Sequence, residues 1–461
     1  MHPVKGASIY DKEREKMEKV NARKAALEVL IDIEKNNAFS NIAIQRYLRN
    51  KSIEDRDRRF ITELVYGVTE NKIYLDYIVD RLSKIKRSKI KVETLSILRM
   101  GLYQIIFLDK VPTSAAVNES VKLVKKVDFG AAGYVNAILR NYLRNPVRID
   151  LDKEKMDQAE YLSIKYSHPK WMVERWLKDF GKDFTEELLQ ANNNTPPLTV
   201  RANTLLTTPE TLLENFQKEG IGARVGLYVS EAIQLEQSVN LERQTSFQKG
   251  LFQVQDESSM LVSHVLDPKP GEFVMDLCAA PGGKTTHIAQ LMQNRGRILA
   301  WDIYEHKLKL VRDAASRLGI EIIETMCVNA LELKASFFGK ADRVLVDVPC
   351  SGLGIIRKKP EIKYNKSLEV LNEITALQLK ILSNGSKYVK KEGSLVYSTC
   401  SIERDENVGV MEKFLEQNSD FKLADINEFL PEKIRSEAPY LQLYPHIHHI
   451  DGFFICKFVR I

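Results

Sequence analysis

EFVMDLCAAPGGKTTHIAQL, residues 272–291, runs from a short apolar stretch through small residues, a proline and two glycines into a helical pattern. Strand, tight turn and immediate helix form the opening unit of an α/β sheet. Gly283, Lys284 and Thr285 match the last positions of the phosphate-binding loop G-x-x-x-x-G-K-[ST]. The first glycine of that loop would fall at 278, where this chain has a cysteine, and Pro281 stiffens the middle. Backbone N–H groups cannot begin to wrap a triphosphate without that glycine, so the nucleotide-hydrolase reading fails. The dinucleotide fingerprint G-x-G-x-x-G is absent as well.

From about residue 250 onward, strand-like and helix-like stretches alternate. RILAWDI, DRVLVDVPC and SLVYSTC read as strands, and EHKLKLVRDAASRLG and the long pattern around LNEITALQLKILSNGSKYVKK read as helices. Alternation of this kind predicts a parallel, doubly wound sheet with its ligand at the carboxyl ends of the strands. Asp276 closes the first strand and Asp302 the second, 26 residues later. A carboxylate near that spacing binds ribose hydroxyls, while the small-residue turn and helix start admit an amino-acid end. S-adenosylmethionine, with one ribose, one amino-acid end and no phosphate, fits this pair. Each acid alone reads equally well as a strand-end cap.

The cysteines, Cys278, Cys327, Cys350, Cys400 and Cys456, are odd in number and none are paired as C-x-x-C, so neither a disulfide framework nor a zinc site is indicated. His446, His448 and His449 alternate before an apolar strand and read as surface and turn positions rather than metal ligands. Cys278, Cys327 and Cys456 read as small hydrophobes. Cys350 and Cys400 differ, because DVPCSG and YSTCS carry each thiol out of a strand end into polar, turn-forming sequence. Two thiols and an acid suit methyl transfer to carbon: C5 of a pyrimidine becomes nucleophilic only after a thiolate adds at C6, and a base must later remove the C5 proton. The Glu-Asn-Val of DENV, 405–408, opens an alternative of the DNA-methyltransferase kind, in which Cys350 attacks and Glu406 assists at N3.

Residues 21–145 carry helical periodicity; ARKAALEVLIDIE places Ala26, Leu30 and Ile33 on one face, and Pro112 with Thr113 and Ser114 marks a break and a new cap. Residues 1–150 hold 29 Lys and Arg against 19 Asp and Glu, so this part nets +10 within a chain of +6. RLSKIKRSKIK, 81–91, has six basic residues and no acid: a solvated linker in isolation, a phosphate-binding surface if the chain handles nucleic acid. The most apolar stretch, SILRMGLYQIIFL, is short and broken by Arg99, and the N-terminus is charged, which predicts a soluble cytoplasmic protein. Helices continue to about 194, and PPLTVRANT, TPETLLENFQKEG and ARVGLYVS then read as strand, helix and strand of a small α+β module.

DLCAAPGGKTT, DVPCSGLGIIRKKPEIKY, YSTCSIERDEN and DGFFICKF together resemble the motifs of the RNA cytosine-C5 methyltransferases. SHPKWMVERW, PPLTVRANT and FQVQDESSM resemble their bacterial Sun branch, and DRRFITELVYGVTEN resembles the NusB-type RNA-binding domain of that branch. The resemblance covers the chain from about residue 20 to its end. It implies an N-terminal tail (1–20), an all-α NusB-like domain (21–150), a small α+β, RRM-like module (151–245) and an α/β Rossmann-like class I S-adenosylmethionine-dependent methyltransferase domain (246–461). The implied reaction is methylation of C5 of a cytosine in small-subunit ribosomal RNA, cytosine 967 of 16S rRNA, by a monomer without metal. By motif, Cys400 is the nucleophile, Cys350 assists release, and Asp347 lies between cofactor and base. Cys278, Ala279, Ala280, Pro281, Gly282, Gly283 and Lys284 form the methionine-side loop, Asp302 holds the ribose, and Asn329 lies by the adenine, where the family commonly has Asp. Arg357, Lys358 and Lys359, with Lys84, Lys86 and Arg87, are the expected RNA contacts. The same chemistry on transfer RNA or on another ribosomal cytosine, and a non-catalytic assembly factor on the same fold, stay open at this level.

Overall fold

In a computed structural model, residues 21–49, 53–236 and 239–461 are described; the expected tail, 1–20, lies outside them. The chain divides into two units. One ends at Asn193 and takes in Lys359–Asn365; the other comprises Asn194–Lys358 and Lys366–Ile461.

The first unit is helical, as its periodicity predicts, with Ala26, Leu30 and Ile33 buried together. Its central helix, Val92–Phe107, is covered on nearly every side, which explains why the sequence there is apolar all round. Arg99 does not interrupt that burial: its guanidinium donates to both oxygens of buried Asp76 at 2.7 and 2.9 Å and lies 3.2 Å from Glu34. The break at Pro112 falls where read, before the helix Thr113–Val127, but no side chain caps that helix.

The segment Lys359–Asn365 completes this unit through two helix ends. Glu361 accepts from the backbone N–H and the hydroxyl of Ser40, at 3.1 and 2.7 Å, at the start of the helix Ser40–Leu48, which has no acid in its own first turn. Two residues on, the fully buried Lys363 donates to the carbonyl of Glu70 at 3.0 Å, at the end of the helix Asp55–Glu70. An acid at a helix N-terminus and a base at a C-terminus each meet the favourable end of a helix dipole.

The second unit opens with a four-stranded antiparallel sheet of β1 (Leu198–Ala202), β2 (Ala223–Val225), β3 (Ala232–Leu235) and β4 (Phe252–Val254), in the order β2-β3-β1-β4. Val200, Leu212, Phe216, Ile233 and Phe252 form its core against the helix Pro209–Lys218. The larger sheet contains β5 (Phe273–Asp276), β6 (Arg297–Asp302), β7 (Ile323–Cys327), β8 (Ala341–Asp347), β9 (Val389–Thr399), β10 (Phe421–Ala424), β11 (Leu441–Leu443) and β12 (Phe453–Arg460). Its order is β10-β12-β9-β8-β5-β6-β7, with β11 beside β12. From β7 to β9 the sheet is parallel, as expected; β12 is antiparallel to β9, β10 and β11, so the whole sheet is mixed rather than parallel throughout. Strand order reverses at β5, which lies between β6 and β8. Ligands of open α/β sheets sit at such a switch point.

Candidate active site

The turn after β5 is built by local hydrogen bonds. Ala279 N–H donates to the carbonyl of Trp301 at 2.8 Å, which ties the turn to β6, and Gly282 N–H donates to Ala279 at 2.8 Å. Gly282 has φ +100°, and a Cβ there would lie 3.1 Å from the backbone of Val311, so glycine serves conformation and packing at once. Thr286 donates to the Gly282 carbonyl at 2.8 Å as the helix Gly283–Leu291 begins. Arg201, fully buried, braces that start by donating to the Gly283 carbonyl at 2.8 Å, to Thr286 Oγ1 at 3.1 Å and to Gln255. The sequence marks Arg201 only as part of VRANT, because its partners lie far away along the chain.

Asp276 accepts from Thr285 Oγ1 at 2.7 Å through one oxygen, while its other oxygen is buried without a partner. Burial, with Asp347 nearby, pushes this carboxyl up to about 7. A buried acceptor lacking a donor fits the ammonium of an amino-acid ligand, so these residues suit the methionine end of S-adenosylmethionine. At the end of β6, Asp302 accepts from Tyr304 N–H at 3.0 Å, and at the end of β7 the exposed Asn329 accepts from Leu331 N–H at 3.0 Å. Both lie at the carboxyl edge of the sheet, where a ribose and an adenine would be held.

Lys284 reaches from the turn to Asp347 at the end of β8, with Nζ 2.7 Å from Oδ2, and lies 5.0 Å from the centre of the Phe453 ring. Ser398 Oγ donates to the other Asp347 oxygen at 2.7 Å. Just beyond the ends of β8 and β9, Cys350 and Cys400 bring their Sγ atoms to 3.0 Å, both half-buried and free. The contact with Cys400, burial and the nearby carboxylates push the Cys350 thiol well above its ordinary range. Cys350 is therefore held as a thiol at neutral pH. The terminal DGFF motif closes the loop: Gly354 donates to the Cys400 carbonyl at 3.0 Å and accepts from Gly452 N–H at 2.9 Å. A Cβ at Gly354 would stand 2.0 Å from the Gly452 carbonyl oxygen.

Several expectations change. Arg357 and Lys358 are not open RNA contacts: Arg357 is buried against Asp451 at 3.1 Å, and Lys358 bonds Asp451 at 2.6 Å and also Asp256. Two buried acids require these cations, and a phosphate would compete with them. Lys359 stands 5.3 Å from the Phe39 ring in the helical unit. Cys327 is exposed rather than a core hydrophobe, while Cys456 is buried. Glu406 is fully buried, and both its oxygens are taken by Ser351, Ser401 and Gln378, which leaves none for N3 of a base. The sequence also does not single out the cluster Glu231, His264 and His287. Both histidine Nε2 atoms meet one Glu231 oxygen, at 2.7 and 2.8 Å, and His287 Nδ1 has no partner. A metal-bound imidazole donates its second N–H, so the arrangement reads as hydrogen bonds to a carboxylate.

Comparisons with known proteins place the chain in a family. The family described as 16S rRNA methyltransferase RsmB/F matches residues 263–459. The probable ribosomal RNA small subunit methyltransferase B of Bacillus subtilis (strain 168) is 39% identical over 446 residues, covering 96% of this chain and 99% of that relative. The chain belongs to the RsmB/F methyltransferase family. It is an S-adenosylmethionine-dependent enzyme with the further domains of that family: a NusB family match covers 20–144 and an RsmF/B-like ferredoxin-like domain covers 168–242. Ribosomal RNA small subunit methyltransferase B of Serratia proteamaculans (strain 568) is 31% identical over 89% of this chain and 92% of its own length. Among solved structures, PH0851 has a TM-score of 0.81 at 26% identity over 96% of this chain and all of its own. A methyltransferase homolog protein from Pyrococcus horikoshii has a TM-score of 0.57 at 30% identity over 66% of this chain and all of its own.

Proposed function

We propose that this enzyme methylates C5 of a cytosine in small-subunit ribosomal RNA, cytosine 967 of 16S rRNA by the family resemblance, through a covalent bond between Cys400 and C6. The observation that carries the reading is the pair of thiols 3.0 Å apart at the ends of neighbouring parallel strands. Nitrogen methylation has no use for a thiol, whereas C5 requires a nucleophile at C6. The names of the Bacillus and Serratia relatives, ribosomal RNA small subunit methyltransferase B, support the substrate.

The 278–284 turn, Asp276, Asp302 and Asn329 would hold S-adenosylmethionine, which supplies an electrophilic methyl group when bound. Cys400 forms the C6–S bond and makes C5 nucleophilic. Cys350, held as a thiol, leaves the attack to Cys400; once a base has taken the C5 proton and the C6–S bond breaks, the Cys350 thiol 3.0 Å away donates to the departing Cys400 thiolate and so assists release. Lys284 and Ser398 fix both oxygens of Asp347 beside this pair. Extrusion of the target costs less from an RNA loop than from a duplex. Lys84, Lys86 and Arg87 line an open groove of about 740 Å³ in the helical unit, suited to backbone phosphates; Arg87 also pairs with Asp76 and Asp80 at 3.1 Å. The reading is of a cytoplasmic monomer, and no described helix is long and apolar enough to cross a membrane.

Trapping on RNA containing 5-fluorocytosine tests the assignment, because fluorine at C5 blocks release. Wild type and Cys350→Ala should form the adduct and Cys400→Ala should not; the reverse pattern would make Cys350 the nucleophile. Bisulfite sequencing of ribosomal RNA from a strain lacking the gene reads the target, and an unchanged pattern would sink the substrate claim.

A further inference from the structure

Glu406 is fully buried six residues past Cys400. Its Oε2 accepts from the backbone N–H of Ser351 at 2.8 Å and from Gln378 Nε2 at 2.8 Å. Its Oε1 accepts from Ser401 Oγ at 2.7 Å and from the Ser351 hydroxyl. Ser351 and Ser401 are the residues directly after Cys350 and Cys400, and Gln378 also donates to the carbonyl of Pro349, directly before Cys350, at 3.0 Å. One carboxylate is thus bonded to both cysteine loops, and each of its partners is a donor. Other bonds secure the same element: Tyr397 Oη donates to the Glu406 carbonyl at 2.6 Å, and Asn407 donates to the Ser401 carbonyl at 3.0 Å.

We infer that Glu406, with Gln378, Ser351 and Ser401, is a positioning clasp that fixes the spacing of the Cys350 and Cys400 thiols during methyl transfer. The inference rests on the reading that these thiols act in turn on one base. Two loops that leave separate strands have no covalent reason to keep their sulfur atoms 3.0 Å apart. A single acceptor shared by the next residue of each loop supplies that reason. Glutamine replaces it only in part: its carbonyl can still accept from Ser351 N–H and Gln378, but its NH₂ then donates toward the two serine hydroxyls, which lose their shared acceptor and must turn to accept instead.

The test is steady-state kinetics of full-length Glu406→Gln, with Ser401→Ala as a milder variant that removes a single donor. A displacement near 1 Å should lower kcat of Glu406→Gln by roughly 10²-fold, while KM for RNA and for S-adenosylmethionine stays close to wild type. Ser401→Ala should lie between. Adduct formation on 5-fluorocytosine RNA should slow in the same order. A folded Glu406→Gln with wild-type kcat, or a loss that falls on KM alone, overturns the clasp; if Glu406→Gln does not fold, an unchanged kcat in Ser401→Ala does so. Failure of the wild type to methylate RNA would instead overturn the proposed function.

Discussion

At the scale of single residues, the Glu231 cluster ties stability to pH. Burial drives the His287 imidazole down to about 3, with the Arg201 charge adding to the effect, so the folded protein keeps it neutral. Glu231 is half of the same arrangement: burial opposes its charge, but hydrogen bonds from His264 and His287 outweigh that and hold the carboxyl well below the usual range. Both folded values lie below the unfolded ones, so the unfolded chain binds more protons as pH falls. The stabilisation is complete above His287's ordinary 6.5 and declines as pH drops toward 3. Urea midpoints should therefore fall between pH 7 and pH 5, taken as rough bounds of the window. His287→Gln, which keeps a donor for Glu231, should flatten that decline, and a wild-type midpoint independent of pH would contradict the assignment.

At the scale of elements, Asp76 on the helix Lys72–Leu82 and Arg99 on the helix Val92–Phe107 form a buried two-bond pair, with side-chain exposures of 8% and 6%. Removing Asp76 leaves the buried Arg99 with Glu34 alone among the described residues, at 3.2 Å, so Asp76→Ala should cost about 3 kcal/mol in unfolding free energy, the low end for a broken buried pair. Chemical denaturation measures this, and a loss below about 1 kcal/mol would place the pair among solvent-screened ones. Elements whose signals are local were legible in the sequence: the turn at 278–284 needs its own proline and glycines, and the strands ending at Asp276, Asp302 and Asp347 are short apolar runs. β7 was not legible, because IETMC has only partly covered and exposed positions and so lacks an apolar pattern. The direction of β12 was hidden too, since an apolar run does not state which way it pairs. Arg357 and Lys358 were misread because their acids, Asp256 and Asp451, stand some hundred positions away. Glu406 was seen as part of a motif, but its hydrogen bonds to Ser351 and Gln378 span 55 and 28 positions, and spacing carries no trace of them.

At the scale of the molecule, charge is divided along the chain. The basic first 150 residues include exposed Lys84 and Lys86 beside the groove. If these lysines neutralise phosphates, Lys84→Ala with Lys86→Ala should weaken RNA binding similarly across sequences. The slope of log affinity against log salt should then fall by roughly 1 to 2, with S-adenosylmethionine affinity unchanged. An unaltered slope would move the RNA contact elsewhere. Deleting residues 1–150 should weaken RNA binding without abolishing cofactor binding, and equal loss of both would make that part structural. The helical unit has a further property, set by Glu361 and Lys363: its sequence is discontinuous. Ser40 waits for a partner 321 positions downstream. During synthesis at about 5–20 residues per second, the ends of the helices Ser40–Leu48 and Asp55–Glu70 are therefore made many seconds before the segment that covers them. A nascent chain halted before residue 359 would carry these helix ends without Glu361 and Lys363, and its N-terminal unit would reach final resistance to proteolysis only once Pro360–Tyr364 has left the exit tunnel.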